Sequence, residues 1–185
     1  VYITFDRDAE IHAFGPHAHY RGKSFTYTLR YPDGSEEIAL SVPDYDFNWQ
    51  RGYFYLEPKF VPAGTKVIVR AEYDNSKYNS ANPDSSVDVK WGQLTADEML
   101  TSNILFTWSE ETPNNLLHNT DKWTINKYFG YLDANMDGFI VKGDFPISLH
   151  VVFDQFMLQL DTNNDRRVTL KEWYENPRID FLKYL

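Results

Sequence analysis

Two twelve-residue segments with the same order of oxygen-bearing side chains constrain the fold of this chain more than any other feature. In each segment, side-chain oxygens occupy positions 1, 3 and 5, position 7 offers a backbone carbonyl, and position 12 is acidic. Calcium takes about six to eight oxygen ligands at ~2.3–2.6 Å, and this alternation directs every second residue toward one centre. The predicted ligands are Asp133, Asn135, Asp137, Phe139 (through its carbonyl) and Asp144 in the first loop, and Asp161, Asn163, Asp165, Arg167 (through its carbonyl) and Glu172 in the second.

The repetition of the loop is more informative than either copy. A single loop of this kind could also be a solvated acidic turn. Two of them, separated by residues 145–160 with helical spacing of apolar residues, favour two calcium sites. Residues 118–176 resemble the EF-hand proteins, and the resemblance implies that Ile140 and Val168, at position 8 of each loop, pair as a short β-bridge.

Both loops depart from the EF-hand pattern in ways that weaken calcium binding. Asp144 is at position 12 of the first loop, and its side chain is shorter than that of Glu, so it is less able to bind calcium through both carboxylate oxygens. Arg166 stands at position 6 of the second loop, where the chain needs a left-handed turn that a Cβ makes more costly. Weak sites fill where calcium is millimolar, so we expect a structural role in an extracytoplasmic protein, periplasmic or secreted.

The first part of the chain predicts antiparallel β-structure. Residues 1–108 contain seven short runs rich in β-branched and aromatic residues, separated by turn signals such as Pro32-Asp33-Gly34 and Pro62-Ala63-Gly64. This pattern predicts a β-sandwich or jelly roll. The runs span residues 1–5, 9–14, 24–31, 36–42, 52–58, 65–73 and 102–108.

The predicted organisation is therefore α+β. A jelly-roll domain over 1–110 precedes an all-α pair of calcium-binding motifs over 111–185, with the polar residues 109–115 as a linker. The chain opens on Val1 inside a predicted strand, so we expect the first domain to be truncated at its N-terminus. Asn176-Pro177 is expected to end the last helix and leave an amphipathic tail over 178–185.

A second possible metal site lies in the β-structure, at His17-Ala18-His19. Residues two apart on a strand project from the same face, so both imidazoles could ligate one metal ion. The alternative is a pair of surface histidines beside a turn. The other histidines, His12, His118 and His150, are interpreted as structural or surface residues.

Several segments together resemble the copper type II, ascorbate-dependent monooxygenases. They are HAHYRGK, YPDG, VPDYDFNWQ, VPAGT, YDNS with NPD, and WGQLTADEM, within residues 9–108. This family includes peptidylglycine α-hydroxylating monooxygenase, and the match is closest to its bacterial members. The resemblance implies that an H-x-H pair and the methionine of a D-E-M segment bind the oxygen-activating copper, here His17, His19 and Met99.

The chemistry of this ligand set agrees with copper. Two imidazoles with one thioether suit an ion that cycles between Cu(I) and Cu(II), because sulfur favours the reduced state. The alternative for Met99 is a gap-filling core residue. Aromatic side chains could line a substrate pocket, although they could equally be core residues: Tyr20, Tyr45, Phe47, Trp49 and Trp91.

The family reaction also uses a second copper, held by three histidines of another jelly roll that include an adjacent pair. None of the five histidines of this sequence forms such a pair. The sequence therefore predicts the O₂-activating copper half of an extracytoplasmic monooxygenase that hydroxylates a C–H bond, with O₂ and a small organic molecule as substrates. The alternative is a non-catalytic, calcium-stabilised subunit whose partners are the proteins of a larger assembly.

Composition excludes other classes. A net charge of −9 argues against nucleic acid or an anionic membrane surface as a partner. The absence of cysteine excludes a disulfide framework, a thiolate metal site and a cysteine nucleophile. No apolar run approaches the ~18 residues of a membrane span, so we expect none in this chain.

Overall fold

Antiparallel strands make up the first part of the protein, and short helices follow them. The computed structural model describes residues 1–145 and 150–177, so the predicted tail over 178–185 lies outside the described residues. The α+β class is confirmed. The strands and helices are β1 (Tyr2–Thr4), β2 (Ala9–His17), β3 (Gly22–Arg30), β4 (Glu36–Val42), β5 (Tyr53–Val61), β6 (Lys66–Tyr73), β7 (Thr101–Trp108), α1 (Asp121–Leu132), β8 (Phe139–Ile140), a 3₁₀ turn (Lys142–Asp144), α2 (His150–Leu160), β9 (Val168–Thr169) and α3 (Leu170–Glu175).

The seven strands that precede the helices form two antiparallel sheets. One has the order β1-β6-β3-β4 and the other has the order β5-β2-β7. Each of the seven predicted runs overlaps one of these strands, because β-branched and aromatic residues favour strands and several runs alternate apolar with polar residues. Gly34 and Gly64 adopt positive φ angles of 85° and 89° in the two predicted turns.

Side chains from both sheets meet in one hydrophobic core. Phe14 on β2, Tyr27 on β3 and Val67 on β6 are among its fully buried members. Trp123, on α1, joins the same core, and its ring centroid lies 5.0 Å from that of Phe5. Helix α1 is therefore anchored on the β-structure by an aromatic side chain.

A second core forms among the helices and again includes residues of the first sheet. Its buried members include Phe129 on α1, Phe156 on α2 and Trp173 on α3. Tyr2 on β1 and Ile68 on β6 also belong to it. The predicted boundary near residue 110 is thus crossed by apolar contacts in both directions.

The contact between α1 and β1 is close. A Cβ added to Gly130 would lie 1.8 Å from the carbonyl oxygen of Tyr2, so only glycine permits this approach. Beside it, the amide of Asn126 donates to the carbonyl oxygen of Thr4 over 2.8 Å. The N-terminus of α1 is capped by Thr120, whose side chain accepts from the amide of Trp123.

No helix within residues 1–145 and 150–177 combines the length and the apolar character that crossing a membrane requires.

Candidate metal sites

The first predicted calcium loop follows α1 directly. The carboxylate of Asp133 accepts from the amide of Asp137 at Oδ1 (3.0 Å) and from the amide of Gly138 at Oδ2 (3.1 Å). Asn135 accepts from the same Asp137 amide over 3.1 Å, and Asp137 accepts from Phe139 over 3.0 Å. Through these hydrogen bonds, the backbone of the loop bends around the side-chain oxygens of positions 1, 3 and 5.

The second loop repeats this pattern residue for residue. Asp161 accepts from the amides of Asp165 (3.1 Å) and Arg166 (2.9 Å). Asn163 accepts from Asp165 over 2.9 Å, and Asp165 accepts from Arg167 over 2.9 Å. Two segments that differ at nine of their twelve positions thus adopt one hydrogen-bonded conformation, as the alternation of Asp and Asn predicts.

The two loops are joined by a short antiparallel pairing of β8 and β9. Ile140 lies opposite Val168, and both side chains are fully buried. The predicted pairing of these two residues is confirmed. It places the two loops side by side.

Position 6 is left-handed in both loops, as predicted. Gly138 has a φ of 87° and Arg166 a φ of 66°. Arg166 therefore carries the backbone strain of a side chain in a region that glycine occupies freely.

The residues at position 12 are held by their own loops. Asp144 accepts from the amide of Val141 over 2.7 Å. Burial raises the pKa of Asp144, and the carboxylates of Asp137 and Asp133 raise it further, while the Val141 hydrogen bond opposes them. Burial would also raise the pKa of Glu172, but hydrogen bonds from Thr169 and Thr162 outweigh it, and the net direction is downward.

Within residues 1–145 and 150–177, no three side chains drawn from His, Cys, Asp and Glu are gathered as a complete metal-ligand set. The loop carboxylates instead hydrogen-bond to backbone amides of their own loops, as described above. Each predicted site also draws on other ligand types: amide and carbonyl oxygens in the loops, and the thioether of Met99 in the predicted copper site.

The two histidines of the second predicted site lie side by side. Their ring centroids are 5.3 Å apart and the ring planes cross at 88°. His17 is the last residue of β2, whereas His19 lies beyond the strand in the turn that leads to β3. The expectation that both histidines project from one strand face therefore does not hold, because only His17 lies on the strand.

Each imidazole is hydrogen-bonded through the same ring atom. Nδ1 of His17 lies 2.6 Å from Oε1 of Gln50, and Nδ1 of His19 lies 3.3 Å from the carbonyl oxygen of Asp97. A carbonyl oxygen accepts only, so Nδ1 of His19 carries the proton, and the same holds for His17 when Gln50 presents its oxygen. In the neutral form of these imidazoles, each Nε2 atom then has a lone pair, which is the state in which a histidine ligates a metal ion.

Met99 and His17 line the same cavity, which has a volume of about 620 Å³. The backbone carbonyl of Met99 accepts from the hydroxyl of Tyr73 over 3.1 Å. Burial raises the pKa of Tyr73 to about 12, so this hydroxyl remains a donor. Met99 is thus half-buried beside a histidine and outside both hydrophobic cores.

Sequence reasoning did not identify the residues that orient the histidines. Gln50 and Asp97 lie 33 and 78 positions from their imidazole partners, so no local pattern connects them. Arg21 was also missed. It is only 1% exposed and donates to the Asn75 side chain over 2.8 Å and to the carbonyl oxygens of Asp84 and Ala96.

The aromatic residues that were considered as pocket residues have different surroundings. The ring of Phe47 is edge-on to the rings of His19 and Tyr20, with centroid distances of 6.3 Å and 4.7 Å. Tyr45 is buried and hydrogen-bonded to the backbone of Ala18. Trp49 and Trp91 are exposed.

The remaining histidines lie outside both predicted sites. His12 bonds the hydroxyl of Thr107 at 3.0 Å, and His150 lies 3.3 Å from the carbonyl oxygen of Phe145. His118 is exposed.

Comparison with known proteins adds no assignment to these sites. No protein-family model matches the sequence. No curated protein is significantly similar to it.

Proposed function

We propose that this chain is a calcium-stabilised, copper-binding protein that provides the O₂-activating half of an extracytoplasmic monooxygenase. In this proposal the two sheets form a jelly-roll-like sandwich that carries the copper ligands His17, His19 and Met99. The helices and the two loops form an EF-hand pair. The reaction is the hydroxylation of a C–H bond.

One observation carries the proposal: both imidazoles are held by Nδ1 and leave Nε2 available. Ligating histidines usually donate their other N–H to a carbonyl or carboxylate, which fixes the tautomer and the ring orientation. Two imidazoles that each place a nitrogen about 2 Å from one ion, at a roughly tetrahedral angle, have centroids about 5 Å apart. The 5.3 Å separation of His17 and His19 fits this value.

The third ligand favours copper over zinc. Met99 faces the cavity that His17 lines, and a thioether with two imidazoles suits Cu(I), whereas zinc more often takes a carboxylate or a third histidine. A copper ion held there would supply the one-electron redox chemistry that activates O₂. Hydroxylation reduces the second oxygen atom to water, so an external reductant of the ascorbate class must supply a pair of electrons with a pair of protons.

The cavity is suited to placing an apolar substrate beside the copper ligands. Phe14, Pro16, Phe54 and Leu105 contribute apolar surface to its lining. Such a surface would orient a substrate by burying part of its apolar area. Arg51, whose guanidinium lies 3.9 Å above the ring of Trp49, adds a positive charge to the lining.

The calcium loops have a supporting role in this proposal. Their hydrogen-bonded conformation and the pairing of Ile140 with Val168 favour ion binding at both loops. Asp144 at position 12 and Arg166 at position 6 make both sites weak, which suits the millimolar calcium found outside the cytoplasm.

Titration with Cu(I) in competition with a chelator tests the copper site. We expect one equivalent to bind to the wild-type protein. His17→Ala, His19→Ala and Met99→Leu should each weaken binding by more than about tenfold, since even residues that only orient a ligand contribute 10–100-fold. His12→Ala is the matched control, because His12 bonds Thr107 away from the site. If Met99→Leu leaves Cu(I) binding unchanged, the thioether is not a ligand of the site, and the argument for an oxygenase fails.

The alternative, a non-catalytic subunit of a larger assembly, is favoured by one surface. Strand β5 lies at the edge of its sheet, and its side chains Phe54, Leu56 and Phe60 are 72%, 97% and 52% exposed. Adjacent exposed apolar residues often mark protein–protein contacts. Absence of Cu(I) binding together with retained calcium binding would favour this alternative.

A further inference from the structure

We infer that strand β1 is part of the first calcium site, because Tyr2 positions the first ligand of the loop, Asp133. This inference rests on the proposed calcium binding. The hydroxyl of Tyr2 donates to Oδ2 of Asp133 over 2.7 Å, across 131 positions of sequence. Tyr2 is 5% exposed and Asp133 is 0% exposed, so the bond is shielded from water.

The bond serves a carboxylate that is otherwise expensive to bury. An ionised side chain away from water needs several hydrogen bonds to stay charged. Asp133 receives two from its own loop, at Oδ1 and at Oδ2, and Tyr2 supplies the third. The hydroxyl also fixes the rotation of the carboxylate, so less reorganisation is needed when an ion binds.

The second loop provides an internal comparison. Asp161 occupies the same position and accepts the corresponding two amide bonds, from Asp165 and Arg166. Among the hydrogen bonds of residues 1–145 and 150–177, none joins Asp161 to a side chain of the β-structure. The two loops therefore differ in one contact to the first ligand, which permits a test within one molecule.

Tyr2 is held in place by the close contact of β1 with α1. Gly130 permits the backbone of Tyr2 to approach the helix, and Asn126 donates to the carbonyl of Thr4 over 2.8 Å. Strand β1 in turn pairs with β6, with Tyr2 opposite Ile68. The carboxylate of the loop is thus connected to the first sheet through one side chain on a paired strand.

This arrangement couples ion binding to the docking of β1. If docking of the strand raises the calcium affinity of the first loop, then calcium must stabilise the docked strand by the same factor. Calcium should therefore increase hydrogen-exchange protection of the amides that pair β1 with β6, and this protection depends on the first loop rather than on the second.

The test is a calcium titration of wild-type and Tyr2→Phe protein, followed by NMR. The amides of Gly138 and Arg166 are the reporters, since each donates to the position-1 carboxylate of its own loop. We expect Tyr2→Phe to weaken the first site by about tenfold, the size of one hydrogen bond to a charged acceptor, and to leave the second site unchanged. Tyr55→Phe is the control: it removes a hydroxyl on β5, in the other sheet, that bonds the carbonyl oxygen of Ala39.

The outcomes separate this inference from the proposed function. Wild-type protein that binds no calcium at millimolar concentration contradicts the proposed calcium binding. If each loop binds calcium with the same affinity in Tyr2→Phe as in the wild type, only the role of Tyr2 is overturned. An equal loss at both loops also overturns it, because a general loosening of the fold would then explain the effect.

Discussion

Removal of calcium is expected to lower the free energy of unfolding by about 5 kcal/mol, since each of two sites at an ion concentration 100 times its Kd contributes ~2.7 kcal/mol. Without an ion, each loop has three acidic side chains whose charges no bound cation balances. In the first loop, the carboxylates of Asp137 and Asp133 add to burial in raising the pKa of Asp144. Unfolding curves in calcium and in chelator, followed by tryptophan fluorescence and circular dichroism, measure the difference.

Unfolding curves of an Asp161→Ala variant provide the control for this experiment. Asp161→Ala removes the first ligand of the second loop and should retain about half of the calcium effect, because the first loop is intact. Superimposable curves in calcium and in chelator would argue against a structural role for calcium. If Asp161→Ala shows the full effect of calcium on the free energy of unfolding, the second loop contributes nothing to that effect.

Replacement of Arg21 by methionine is expected to destabilise the protein by about 3 kcal/mol or more. Arg21 is buried, and the substitution would remove its hydrogen bonds to the Asn75 side chain and to the carbonyl oxygens of Asp84 and Ala96, at ~1.5–3 kcal/mol for each hydrogen bond that involves a charged group. These residues lie in the segment 74–100, which connects β6 to β7 without a helix or strand of its own. Arg21 therefore connects three points of that segment.

The effect should extend to the copper site. Asp97, whose carbonyl orients His19, and Met99 both lie in the supported segment. We expect Arg21→Met to weaken Cu(I) binding by at least about tenfold at a temperature where the protein remains folded. Arg21→Lys should be intermediate, because an ammonium keeps the charge but cannot reach the same three acceptors.

A matched control is available in Arg70, which is exposed on β6. Arg70→Met should change stability by less than about 0.5 kcal/mol and leave copper binding unchanged. If Arg21→Met is as stable as Arg70→Met, the proposed support of the 74–100 segment is wrong.

Local patterns predicted the strands and the conformation of the loops. Runs of β-branched and aromatic residues located all seven strands of the two sheets, and several of these runs show the period of two that burial of one face leaves in the sequence. The left-handed turn at Gly138 and Arg166 and the pairing of Ile140 with Val168 followed from position within a twelve-residue loop. The strands and the turns depend on residues that are close together in sequence, and the pairing depends on the repetition of the loop.

The supporting contacts could not be predicted in this way. Tyr2 meets Asp133 across 131 positions, and Arg21 meets Ala96 across 75. Neither a tyrosine in a strand nor an arginine in a turn has a local sequence feature that indicates its hydrogen-bond partner. Such partners depend on how the sheets and helices pack together, and that packing is decided by the whole core.

The convergence of His17, His19 and Met99 on one copper ion is the central claim, and X-ray absorption spectroscopy of the Cu(I)-loaded protein tests it most directly. The account predicts two nitrogen ligands at about 2 Å with one sulfur ligand at a longer distance. Met99→Leu should remove the sulfur contribution and keep the nitrogen ligands. A wild-type spectrum without sulfur, or one that Met99→Leu leaves unchanged, would contradict the claim.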